Sequence, residues 1–168
     1  MQIRQLTGDD GEAYLAHRQM ALRSEPFAFL SSPDDDVATT VEDMRRHLER
    51  VPESVVFGAF DPDLIGSVGI YREPKLKAAH RAHIWGMYVR SDRRCRGVAR
   101  ALIAAAIDHA RSLPGIDQVQ LGVTEASIAA QQLYESLGFR QWGIEPRYIF
   151  HEGRYIDTHH MVLVLGGR

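Results

Sequence analysis

Six apolar residues at helical spacing, Val98, Leu102, Ile103, Ala106, Ile107 and Ala110, lie between two runs that read as strands, Ala82–Val89 and Gln118–Val123. A helix with one long apolar stripe must bury it against another layer, and the flanking strands make that layer a sheet. Leu113, Pro114 and Gly115 supply the stop. The rest of the chain extends this α/β pattern. "MQIRQL" alternates as a short strand, and Thr7 with Asp10 forms a capping box that opens a helix to about Arg23. Val37, Val41, Met44, Leu48 and Val51 mark one face of a second helix. "SVVFGAF" and "LIGSVGIY" are strands joined by a "DPD" turn. "SIAAQQLYESLGF" is a helix with Ala130, Leu133 and Leu137 inward and Gly138 at its end, and the tail reads as two strands about "HEG". The order predicts one domain, 1–168, with a mixed sheet.

Bulk composition narrows the function. At 168 residues the chain suits one domain. The 20 basic and 22 acidic residues nearly cancel, so no general attraction to nucleic acid is expected. No apolar run is long enough to span a bilayer and "MQIRQLTGDD" does not resemble a signal peptide, so a cytoplasmic protein without a membrane partner is expected. Cys95 is the one cysteine, and His159 and His160 point to opposite faces of a strand, so no metal site is expected.

Positive charge is nevertheless concentrated in one place. "RSDRRCRGVAR" joins a strand to the start of a helix. Three readings are open there: a solvated helix cap, a nucleic-acid patch, or a phosphate seat. The first turn of a helix has unpaired N–H donors and a partial positive charge. Gly97 permits close approach, and Arg94, Arg96 and Arg100 have the forked geometry that suits phosphate.

Arg94-Cys95-Arg96-Gly97-Val98-Ala99 resembles the R/Q-x-x-G-x-G/A signature of the GNAT superfamily of N-acetyltransferases. "SIAAQQLYESLGF" is similar to that family's N-x-x-A-x-x-L-Y-x-x-x-G-F, through Ala130, Leu133, Tyr134, Gly138 and Phe139, with Ser127 where the family has asparagine. The resemblance implies a single GNAT-like domain whose central mixed, mostly antiparallel sheet has about seven strands flanked by about four helices. It implies acetyl coenzyme A as cosubstrate, gripped by Arg94 to Arg100, by the backbone of Met87, Tyr88 and Val89 on a splayed strand, and by Ser127 and Tyr134.

Acetyl transfer to an amine needs a base, since an alkylamine of the lysine type is mostly ammonium at pH 7. His83 is the candidate, on the same strand face as Trp85 and Met87; counted back from Gly97, it falls where the histone-modifying branch of the family carries its glutamate base. Packing against the sheet is the alternative for His83, and His80 is the competing base on the other face. The family resemblance implies that Tyr134 gives a proton to the departing thiolate. Glu25, Phe27, Phe29, Trp85 and Arg147 are candidates for binding a small-molecule amine, such as an amino acid or polyamine, with Trp142 and Tyr148 as further walls. Direct transfer in a ternary complex is expected, because Cys95 lies in the phosphate loop. The rivals are a noncatalytic acyl coenzyme A sensor on the same fold and a nucleic-acid binder using the arginines. The tail strand could pair two copies as a homodimer.

Overall fold

A computed structural model describes residues 1–50, 52 and 54–166. The strands are β1 (Gln2–Gln5), β2 (Ser54–Phe60), β3 (Leu64–Arg72), β4 (Arg81–Val89), β5 (Gln118–Thr124), β6 (Arg140–His151) and β7 (Arg154–Val164). The helices are α1 (Gly11–Ser24), α2 (Val41–Leu48), α3 (Val98–Ser112) and α4 (Ile128–Ser136). All seven strands form one sheet in the order β1-β2-β3-β4-β5-β7-β6. Only β4 and β5 run parallel, with α3 as their crossover, as a parallel connection requires.

Two cores cover the two faces of the sheet. On one, the stripe of α3 packs on Ile65, Val68, Ile84, Val89 and Val119, with Tyr134 and Phe139 alongside. On the other, Tyr14 of α1 and Met44 and Leu48 of α2 pack on Val56 and Leu64. Burying side chains of this size stabilises by roughly 1.5–3 kcal/mol each before chain entropy is set against it.

Three local features differ from the sequence reading. The Thr7–Asp10 capping box sits on a short 3-10 turn, Gly8–Asp10, and α1 follows from Gly11. The second helix starts at Val41, because the Thr40 hydroxyl accepts a hydrogen bond from Asp43 N at 3.2 Å and caps it there; Val37 lies in the preceding loop, and Val51 lies outside the described residues. In α4 the buried residue is Tyr134, with Ala130, Leu133 and Leu137 half-buried around it and Ala130 and Leu137 packed on the core. Residues 130, 134 and 137 follow the helical spacing of a single stripe.

Candidate active site

The pairing of β4 with β5 stops early. The strands pair at Arg81↔Gln118, Ala82↔Val119 and His83↔Gln120, and then part. Gly86 bends β4 at this point, with a φ of +61° that L side chains rarely adopt. Against β3 the register jumps from Gly69↔Trp85 to Ser67↔Tyr88, which places one extra residue in β4. This is a β-bulge, and it switches the faces of the strand. Ile84 and Val89 face the α3 core, and Met87 packs there too, while Trp85 packs against the other core. The expectation that His83, Trp85 and Met87 share one face therefore fails at Met87. The bulge adds one residue to a period of two.

The parted strands open two cavities that meet. A narrow cleft of about 80 Å3 runs between β4 and β5 toward α4, lined by Gly86, Met87, Val123, Ser127, Ala130 and Tyr134. A wide cavity of about 530 Å3 lies on the other side, lined by His83, Tyr71, Gln120, Trp142, Tyr148 and His160 among others. Both are bounded by Ala28, Phe29, Ile84, Trp85, Gly86, Leu121 and Gly122. Gly86 and Gly122 thus stand at a junction where no side chain projects from the two strand backbones.

At the far end of β4, Gly97 caps α3 at φ +78°. A Cβ added there would meet nothing within 4 Å, so the space over the helix start is open. Cys95 also has a positive φ of 60° and is exposed. Turns of this kind aim backbone N–H groups at one point and make anion seats. The arginines divide their roles. Arg94 pairs with Glu25 at 2.6 Å and donates to Val89 O at 3.0 Å; Arg100 donates to Ser136 Oγ at 2.7 Å, tying α3 to α4. The exposed Arg96 makes no side-chain hydrogen bond or ion pair among the described residues. The open helix start, the basic loop and the cleft between β4 and β5 fit a long ligand with phosphates at one end, as acetyl coenzyme A is.

Tyr134 projects from α4 into the narrow cleft, 5% exposed and edge-on to Phe139. Burial pushes its hydroxyl well above the usual phenol range, so it keeps its proton. Ser127 caps α4, its hydroxyl 3.3 Å from Thr124 Oγ1. Tyr88 turns its ring away, stacking edge-on against His17 with its hydroxyl 3.1 Å from Ser24 Oγ. Val98 is buried in the core and Ala99 packs against it, so these two can offer only backbone to a ligand.

His83 stacks on Tyr71 with ring centroids 5.1 Å apart. Its Nε2 is buried and lies 3.5 Å from Glu73 without forming a hydrogen bond. Burial lowers its pKa, and the nearby Glu73 carboxylate only partly offsets this. The imidazole is therefore neutral, and able to accept a proton, to below its ordinary range. His80 stands in the turn before β4, outside both cavities.

Of the five residues expected to meet the amine, Phe29 and Trp85 line the wide cavity. Glu25 is instead held by Arg94. Phe27 packs on His151 and under Arg154. The Arg147 guanidinium lies over Tyr155 at 4.8 Å while its backbone N–H donates to Asp157 Oδ1. Trp142 and Tyr148 do form walls. Sequence reasoning missed Arg18, which lines the cavity from α1 and pairs with Asp36 through two hydrogen bonds of 2.8 Å. It also missed Tyr71, Thr158 and His160. Their local patterns are those of ordinary helix and strand positions. Among the described residues there is no cluster of three metal-ligating side chains, and no helix is long and apolar enough to cross a membrane.

Comparison with known proteins agrees with this geometry. The profile of the acetyltransferase (GNAT) family matches residues 16–139. The chain is 32% identical over 147 residues to mycothiol acetyltransferase of Thermobispora bispora, covering 84% of this chain and 46% of that one. It is 29% identical to an L-amino acid N-acetyltransferase of Escherichia coli over 62% of this chain and 64% of that one. It thus spans about half to two thirds of the length of these relatives. Among solved structures, a GCN5-related N-acetyltransferase from Kribbella flavida superposes with a TM-score of 0.80 at 29% identity, covering 98% of this chain and 97% of that one. The chain belongs to the acetyltransferase (GNAT) family.

Proposed function

We propose that the protein transfers an acetyl group from acetyl coenzyme A directly to the primary amine of a small molecule. The observation that carries this reading is the meeting of a narrow and a wide cavity at Gly86 and Gly122, which we assign to the donor and the acceptor. When bound, acetyl coenzyme A supplies a thioester carbonyl. The first turn of α3, Gly97 and Arg96 would hold its phosphates, and the free edges of β4 and β5 would hold its arm. Backbone N–H groups on the free edge of β4 near the bulge are the donors for the developing oxyanion.

His83, kept neutral by burial, takes the proton of the incoming ammonium, either directly or through water. Tyr134 supplies the proton that the departing sulfur needs, and the second proton that the nitrogen loses as the amide forms restores it through water. The raised pKa of its phenol does not oppose this, because a thiolate forming in the same dry cleft is made more basic by the same desolvation. Cys95 takes no part, since it sits exposed in the phosphate loop.

The test is release of free coenzyme A thiol from acetyl coenzyme A, screened over amino acids, polyamines, aminoglycosides and short peptides. Release with one class supports the transferase. Release with none, from a protein still stabilised against heat by acetyl coenzyme A, would turn the reading toward an acyl coenzyme A sensor.

A further inference from the structure

We infer that the acceptor is an α-amino acid with an apolar side chain, and that Arg18 holds its carboxylate at the junction of the two cavities. This rests on the transferase reading and narrows it. Arg18 lines the wide cavity, yet its side chain is only 6% exposed. Asp36, whose side chain is fully covered, takes Nε and Nη2. Nη1 is buried with no hydrogen-bond partner. A buried donor left without a partner is costly, and a ligand oxygen is the natural way to satisfy it.

The position of that nitrogen is informative. It lies 3.4 Å from where a Cβ on Gly86 would stand, so it faces the bulge across a glycine that puts no side chain between them. Gly86 borders both cavities. In an α-amino acid the amine and the carboxylate are attached to the same carbon. A carboxylate seated on Nη1 therefore keeps its amine at the junction, where the acetyl group must arrive. An amine at the end of a long chain would leave its carboxylate far from this seat.

The rest of the wall agrees. Among the described residues no aspartate or glutamate lines the wide cavity. The nearby carboxylates Asp36, Glu73 and Glu145 sit behind Arg18, His83 and His160 rather than in the wall. A polyamine would find no acidic partner for its second ammonium, whereas a carboxylate finds a guanidinium and, in Thr158, a second buried polar atom without a partner. Phe29, Trp85, Tyr71 and Trp142 complete an aromatic enclosure for the side chain.

The protein's two tryptophans, Trp85 and Trp142, both line the cavity, so their fluorescence reports its occupation. Wild type is titrated with 3-phenylpropanoate, 2-phenylethylamine, L-phenylalanine and L-phenylalaninamide, and transfer is measured for the three amines. The inference predicts saturable binding of 3-phenylpropanoate. It also predicts kcat/KM for phenylalanine higher than for its amide by roughly tenfold or more. In the paired variant Arg18→Met with Asp36→Asn, which leaves no buried carboxylate alone, the preference for phenylalanine falls to near one. Folding of the variant is verified by its melting and its stabilisation by acetyl coenzyme A. Equal wild-type rates for phenylalanine, its amide and phenylethylamine would overturn the carboxylate seat while leaving the transferase standing. An unchanged preference in the folded variant would overturn the role of Arg18. Binding of 3-phenylpropanoate that depends on Arg18, without transfer to any amine, would support the seat and overturn the transferase instead.

Discussion

The two cavities on either side of Gly86 and Gly122 are built in different ways. The narrow cleft is made by a parted strand pair and the strand-to-helix connection after it, so most of its residues fall in three short stretches, Ile84–Met87, Leu121–Val123 and Ser127–Tyr134, with Ala28 and Phe29 at its edge. The wide cavity draws on α1, the loop after it, β3, β4, β5, β6 and β7. A ligand common to many relatives can be gripped by local backbone geometry, which depends on a few glycines and helix starts. A ligand peculiar to one protein is gripped by side chains that meet only after the sheet has formed. On the proposed reading the two grips differ in kind and meet at a shared wall, so substitutions away from that wall on one side should leave the other intact.

The largest expected effect comes from Gly97→Glu. The new residue is forced into a left-handed conformation and puts a carboxylate over the start of α3. Affinity for acetyl coenzyme A should drop by roughly 10²-fold or more, in calorimetric titration, while acceptor binding persists. Retained affinity would sink the phosphate-seat assignment. Tyr134→Phe comes next. It keeps the ring that packs on Phe139 and removes only the hydroxyl, so kcat should fall by roughly 10²-fold at unchanged melting temperature; unchanged kcat would reduce Tyr134 to a packing residue.

Two further effects sharpen the contrast from the acceptor side. A Cβ at Gly69 would lie 2.1 Å from the Trp85 ring, which rests against this glycine across β3 and β4. Gly69→Ala should displace the ring and cost about 1–3 kcal/mol of stability. Because Trp85 bounds both cavities, it should raise the acceptor KM and weaken acetyl coenzyme A by a smaller factor; a shift in cofactor affinity of equal size would show that the cavities are not separable. His83→Gln removes the proposed base, so kcat at neutral pH should fall by up to roughly 10²-fold, and the pH profile is the sharper readout. Because burial lowers the pKa of His83, activity should decline only as pH falls below the ordinary imidazole range, where the ring gains its proton. The variant should lose that acid limb. A wild-type profile identical to the variant's would assign the proton transfer to water or another group.

The same division governs what could be read from the chain alone. The α3 stripe, the turn residues and the two motifs are short-range patterns, and each element they imply exists in the fold. The face switch in β4 is only half legible, because Gly86 marks a place for local irregularity but does not show that the strand gains a residue there. Glu25 and Arg94 are 69 positions apart, so their pairing, which takes Glu25 out of the acceptor site, arises only when the loop after α1 folds over the end of β4. Arg18 reads as one of several charged residues on α1, and its burial depends on Asp36 arriving from a loop 18 positions away.

The central claim is that both ligands occupy the junction together, and initial-rate kinetics with both substrates varied test it most directly. Lines that intersect in double-reciprocal plots, with no acetylated protein detectable by mass when acetyl coenzyme A is added alone, are the predicted result. Parallel lines together with an acetyl group covalently held on the protein would contradict direct transfer across Gly86 and Gly122.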